Sequence, residues 1–332
     1  MKKTIALLAA AWFVAALVPA RADEKPQDAP DSVNTRRVLL LNALLPGSAQ
    51  IALGRRGEGI AIMAASLSLR IAGLTMVAID LLSDSTEGGY GIYREDGRTY
   101  LYPPDNSGLL ADTWLGNTGL LLALWGSLAA TYSAHDAYLN FADPGHPGAM
   151  SLGEALAAPY RRANVLTWDV LPVLGFLTLT GLSRDQLFAM GSFFRSDDVE
   201  FWGMRVSPWA GLAMNTAFTI ALVHANATAE EYAYRGVQLA ATGLARSSVS
   251  FGLAHLPNML VPGVSVEDTL VQTTFAGLLG WYVGQLTLNS NYDLGKSIAL
   301  HFWNNVMAFT LGYLTGQSEA EPGFAWTVNV RY

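Results

Sequence analysis

Apolar blocks of about 20 residues, separated by short polar breaks, recur along most of this chain and limit what it can fold into. A block of that length crosses the hydrocarbon layer of a bilayer as a helix. Helices satisfy their own backbone polar groups there, where no water can. Length alone would suggest two soluble domains, because the chain has 332 residues. Composition argues the other way. Charged residues make up 14% of the chain and hydrophobic residues 51%, against about 25% charged in an ordinary soluble protein. The expected fold is therefore all-α: a polytopic transmembrane helical bundle of about seven to nine membrane helices. A net charge of −7 without a dense basic cluster gives no reason to expect nucleic acid as a partner. The absence of cysteine excludes disulfides, cysteine-ligated zinc and thiol catalysis together.

Residues 1–22 read as a secretory signal peptide. Lys2 and Lys3 supply the basic start, Ile5 to Val18 the apolar core, and Ala20-Arg21-Ala22 a cleavage site. Residues 23–35 form a polar N-terminus. Residues 36–160 then read as N-terminal membrane helices. Val38 to Leu53 is a first apolar block, Arg55-Arg56 a basic turn, and Gly59 to Leu82 a second block in which Arg70 can either pair with an acid such as Asp169 or snorkel. The stretch 83–108 reads as an extramembrane loop with a small hairpin at Glu95-Asp96-Gly97-Arg98. A long helix begins near Trp114, and His135-Asp136 near its end read as a polar helix terminus. The apolar block Val165 to Leu182, the polar stretch Ser183 to Val206 and the apolar block from Pro208 follow. Lys and Arg in short loops put Arg55-Arg56 and Arg161-Arg162 on the cytoplasmic side, and 83–108 and 183–206 on the other. The expected location is the inner membrane of a bacterium, multi-pass, with the lipid bilayer as the first partner.

Three segments between Ala229 and Asn305 break the apolar pattern. The first holds Glu230, Glu231 and Arg235, the second Phe251 and His255, the third His301 and Asn305, with Asn304 beside it. Ionisable groups at membrane depth are costly and by default mark a functional site facing the bundle interior. Each also has a plain explanation. Thr228 with Glu231 has the spacing of a capping box. Glu231 and Arg235 stand four residues apart, oriented for an ion pair. Glu230 has no such local partner, which suits a general base, although an acid at a helix start also favours the dipole. His255 sits four residues after Phe251 on one helical face, and Pro257 ends or kinks that helix. His301 and Asn305 share a face on a helix that begins near Asp293.

Taken together, E-E-x-x-x-R, F-x-x-x-H and H-x-x-x-N in this order resemble the CPBP family of intramembrane proteases, which includes type II CAAX prenyl endopeptidases and bacteriocin-processing and self-immunity proteins. The resemblance covers about residues 165–316, within an expected protease core at 161–318 that precedes a C-terminal tail at 319–332. It implies a helical membrane bundle with a polar cavity open to the cytosol. It further implies that Glu230 activates water, with His255 helping to hold it. His301 and Asn305 would stabilise the tetrahedral oxyanion, with Glu231, Arg235 and Phe251 as support. Such chemistry needs no cofactor. One Glu and two His also leave zinc as an alternative, although the H-E-x-x-H helix is absent. The implied partner is a membrane-associated protein or peptide substrate. A signal peptide of bacterial type makes a prenylated substrate doubtful. Two other classes stay open at this level: a non-catalytic binding or immunity protein using the same cavity, and a small transporter with a Glu/His proton relay.

Overall fold

The computed structural model describes residues 35–83, 93–95, 97–100, 114–180, 190–202, 204–260 and 264–316. The expected signal peptide, most of the 83–108 loop and the tail at 319–332 lie outside these residues. The described chain is mainly helical.

The block from Val38 to Leu53 is two short helices rather than one. Helix α1 spans Thr35–Leu44 and α2 spans Ser48–Ala52. Pro46 cannot continue a helix, and Gly47 turns the chain at φ 97°, in the left-handed region open to glycine. The break is pinned from outside: the Gly47 N–H donates to Ser133 Oγ at 2.8 Å and to Asn42 Oδ1 at 3.1 Å. Gln50 Nε2 donates to Asp136 Oδ2 at 2.7 Å, and Asp136 also pairs with Arg55. His135-Asp136 is thus a polar helix terminus, as its position suggests.

Helix α3 (Arg56–Ser83) runs against α4 (Trp114–Ala137), which continues through π-type turns over Tyr138–Ala142. A Cβ on Gly119 would stand 2.7 Å from the Gly73 carbonyl oxygen. The two backbones therefore touch, as small residues allow in membrane helix pairs. Arg70 packs on this seam and gives its Nε to Ser127 Oγ at 3.4 Å. Of the two alternatives for Arg70, the pair with Asp169 does not form, because Asp169 sits elsewhere, bound to Lys296 Nζ at 2.6 Å.

After α5 (Leu152–Ala157), α6 (Arg162–Val165) and α7 (Leu171–Thr180), a short hairpin of β3 (Val199–Phe201) and β4 (Met204–Val206) leads into α8 (Pro208–Glu231). The earlier hairpin of β1 (Tyr93–Glu95) and β2 (Arg98–Tyr100) pairs Glu95 with Arg98 across its turn. The short α9 (Leu239–Thr242) and α10 (Leu244–Leu253) follow α8. The β1–β2 hairpin clasps the start of α11 (Val266–Asn289): Arg98 bonds Asp268 at 2.7 Å, and the Thr99 N–H donates to Glu267 at 2.9 Å. Helix α12 (Gly295–Gly316) completes the described fold.

Helix α8 is the centre. Its Ala225 and Ala229 pack on Leu128 of α4 and Ile298 of α12. Its Val223 and Ala227 pack on Phe302 and Val306 of α12. Ser207, not Thr228, caps this helix, accepting from the Ala210 N–H. Thr228 lies inside it, fully buried. The expected capping box is absent because the apolar block and the acidic motif are one continuous helix, and Glu231 closes its last α-helical turn. Among the described residues one helical stretch, Arg56–Asp80, is long and apolar enough to cross a membrane by length and composition. Helices α8, α11 and α12 have 24, 24 and 22 residues. They are comparable in length, but polar residues interrupt their apolar faces.

Candidate active site

The three motifs meet where the end of α8, the start of α12 and the end of α10 converge. Immediately after Glu231 the backbone changes to seven residues of π-helix, Tyr232–Gln238, before resuming as α9. Such wide turns inside α-helices are rare and concentrate at functional sites. The segment is braced from behind by the N-terminal helices. Tyr232 donates its hydroxyl to the Met150 carbonyl at 3.2 Å, and its ring lies 4.9 Å from that of His135.

Glu231 and Arg235 are almost completely buried and form an ion pair at 3.4 Å. That separation is longer than a tight charge-assisted bond of about 2.7–2.9 Å. The guanidinium has other holds. It lies 4.1 Å over the Phe251 ring, a cation–π contact, and Nη2 donates to the Gly280 carbonyl at 3.4 Å. Gly280 is required for this approach, since a Cβ there would be 2.9 Å from Phe251 Cδ1 and 3.2 Å from Arg235 Nη2.

His301, six residues into α12, stands between both carboxylates. Its Nδ1 lies 2.8 Å from Glu231 Oε1, and its Nε2 lies 3.5 Å from Glu230 Oε2. The first contact orients the ring by the logic of a carboxylate behind a catalytic imidazole. The second is too long for a hydrogen bond. Glu230 is not without a local partner, contrary to the reading from sequence. Asn226, one turn earlier, donates Nδ2 to Glu230 Oε1 at 3.0 Å. Glu230 Oε2 is buried and has no bonding partner.

His255 falls outside α10, in the turn after Leu253, rather than on the helix face. Its Nδ1 lies 2.9 Å from the Phe251 carbonyl oxygen, and neither Glu230 nor Glu231 pairs with it. Phe251 is the hub between the histidines: its ring centroid is 5.1 Å from His255 and 5.7 Å from His301, edge-on to both. Asn305 lies one turn beyond His301, half-buried, with Oδ1 accepting from Asn304 Nδ2 at 3.2 Å.

The structure thus brings Glu230, Glu231, Arg235, Phe251 and His301 into one cluster and sets His255 and Asn305 at its edges. Asn226 and Gly280 escaped the sequence reading, though the i, i+4 spacing of Asn226 and Glu230 was visible there. Zinc fits poorly. Among the described residues no three His, Asp or Glu side chains are grouped to hold a metal ion. Glu231 is committed to Arg235 and His301, and His255 is turned to a carbonyl.

Residues 212–307 match the family model described as Rce1-like, type II CAAX prenyl endopeptidase Rce1-like. The match covers less than a third of the chain and contains every residue of the cluster. Over these residues the chain is similar to the type II CAAX prenyl endopeptidases, a family of membrane-embedded proteases. No curated protein and no solved structure matches.

Proposed function

We propose that this protein is a multi-pass intramembrane endopeptidase that hydrolyses peptide bonds of a membrane-associated substrate with a water activated by Glu230. The observation that carries the reading is a pair of carboxylates around His301, one in direct contact with the ring and one standing off from it. Glu231 Oε1 meets both His301 Nδ1 at 2.8 Å and Arg235 at 3.4 Å, while Glu230 keeps a buried, unbonded Oε2 that faces His301 Nε2 across 3.5 Å. In the proposed step Glu230 takes a proton from water as the hydroxide oxygen bonds to the scissile carbonyl carbon. His301 Nε2 and the Asn305 N–H2 donate to the developing oxyanion. Glu231 Oε1, 2.8 Å from His301 Nδ1, fixes the orientation of the ring for this contact. Collapse breaks the C–N bond, and Glu230 returns its proton to the leaving amine. His255 holds the water from the side of Phe251.

Charge placement supports an active site facing the cytosol. Arg55, Arg56, Arg161, Arg162 and Lys296 gather at the end of the bundle where α12 begins and α4 ends. The opposite end carries Asp198, Glu267 and Asp268 beside Arg98 and Arg205. This is the bias expected of cytoplasmic and non-cytoplasmic faces. Exposed tryptophans flank the bundle at both ends, Trp168 beside Lys296 and Trp114 with Trp209 at the other, like an aromatic belt.

The test is comparative proteomics of membrane peptides from cells carrying the wild-type protein or Glu230→Gln. Peptides that lose their cleaved forms in the variant identify the substrates. Identical peptide profiles would refute the reading.

A further inference from the structure

The acidic motif explains which residues surround His301, but not why Glu230 stands off from it. Two carboxylates flank one imidazole. Glu231 has closed to 2.8 Å, while Glu230 stops at 3.5 Å with its facing oxygen unbonded. A flexible Glu side chain next to a ring nitrogen would be drawn into direct contact unless something holds it back. The restraint visible in the structure is Asn226, whose amide donates to the opposite carboxylate oxygen at 3.0 Å. Both residues lie on α8, four positions apart, so the helix itself sets the direction of the pull.

We propose that Asn226 is a positioning residue: it anchors Glu230 Oε1 so that Oε2 faces His301 Nε2 without closing on it and stays available to the attacking water. The inference rests on the reading of Glu230 as the base. Asn226 does not touch the reacting atoms. It acts by preventing the collapse of Glu230 onto His301, which would tie up the base. The residue type is suited to the task. A neutral amide donor holds a carboxylate without adding a charge, whereas a lysine or arginine at this position would compete with His301 for it.

Asn226→Leu keeps the volume and removes the donor, and the test compares it with wild type and Glu230→Gln in the full-length reconstituted protein. The probe substrate is one identified by comparative peptide profiling. The expected result is a fall in kcat of about 100-fold, as for a misplacement of roughly 1 Å at a reacting group, with KM changed less than about threefold. Asn226→Gln, which keeps an amide donor, recovers a substantial part of kcat. A second readout does not depend on catalysis. The infrared carboxylate stretch of Glu230, assigned by its disappearance in Glu230→Gln, shifts in Asn226→Leu because the oxygen loses its donor. If Asn226→Leu fails to reach the membrane intact, Asn226→Asp, which matches Asn in shape, takes its place and is expected to lose kcat at least as severely. Unchanged kcat in the donor-free variant, or a rise in KM alone, overturns the proposal. Cleavage that survives Glu230→Gln instead overturns the assignment of the base, while the infrared shift still reports whether Asn226 restrains that carboxylate.

Discussion

The Glu231–Arg235 pair makes a prediction that separates support from chemistry. Both side chains are essentially inaccessible, 0% and 1% exposed. Arg235→Met removes the guanidinium and leaves Glu231 buried with only His301 as a counter-group. Removing one partner of a buried pair costs about 3–5 kcal/mol, because the remaining charge cannot be solvated. The lost contact with Phe251, 4.1 Å from the guanidinium carbon, adds to this. For a chain of this size about 2–4 °C of melting temperature accompanies each kcal/mol, so a drop of about 10 °C is expected. The double variant Arg235→Met with Glu231→Gln removes both charges. The new glutamine side chain still accepts from His301 Nδ1, and the methionine fills much of the vacated volume. Stability is expected to return to within about 1 kcal/mol of wild type, since exchanging a buried pair for neutral groups is often close to neutral. Tryptophan fluorescence during thermal or denaturant unfolding in mixed micelles measures both, and the double-mutant cycle gives the coupling. A single variant as stable as wild type, or a double variant no better than the single, would refute the claim that this pair is a buried structural unit.

Two further expectations follow from local geometry. Gly280→Ala places a methyl 2.9 Å from Phe251 Cδ1 and 3.2 Å from Arg235 Nη2; it should cost about 1–3 kcal/mol by overpacking and lower the cleavage rate, read by melting and peptide assay together. At the surface, bonds from the Ser151 backbone and hydroxyl hold the Glu154 carboxyl below its usual range, in a capping box. A depressed folded value contributes stability above the unfolded value, near pH 4.3, and loses it as pH falls through the folded one. The stability gap between wild type and Ser151→Ala should therefore be present at pH 6 and shrink below about pH 4, measured by denaturant unfolding at each pH.

Much of the site was legible from residue type and spacing. Two of the three motifs carry polar groups at i, i+4 in apolar surroundings and the other pairs Phe251 with His255 at the same spacing, and the fold brings them together. The Glu231–Arg235 pair and the helix carrying His301 and Asn305 could be read locally because both partners belong to one helix. The helix start assigned to Thr228 could not. A change from apolar to acidic residues suggested a boundary, but Ser207 is the cap, and alanines at 225, 227 and 229 let the helix run on. The π-helical turn after Glu231 is not legible from local sequence, since its geometry is set by packing against α4 and α10. The contact between Glu231 and His301 joins residues 70 positions apart. Sequence spacing carries no information about such a distance. It therefore missed that Glu231 orients the imidazole as well as pairing with Arg235.

The most direct test of Glu230 as the water-activating base is cleavage in reconstituted vesicles, using a membrane peptide identified as a substrate. Purified wild-type protein should cleave it. Glu230→Gln, with an unchanged melting temperature, should cleave at least about 100-fold more slowly, the lower end of what a positioned general base contributes. Cleavage by Glu230→Gln at the wild-type rate would contradict the account.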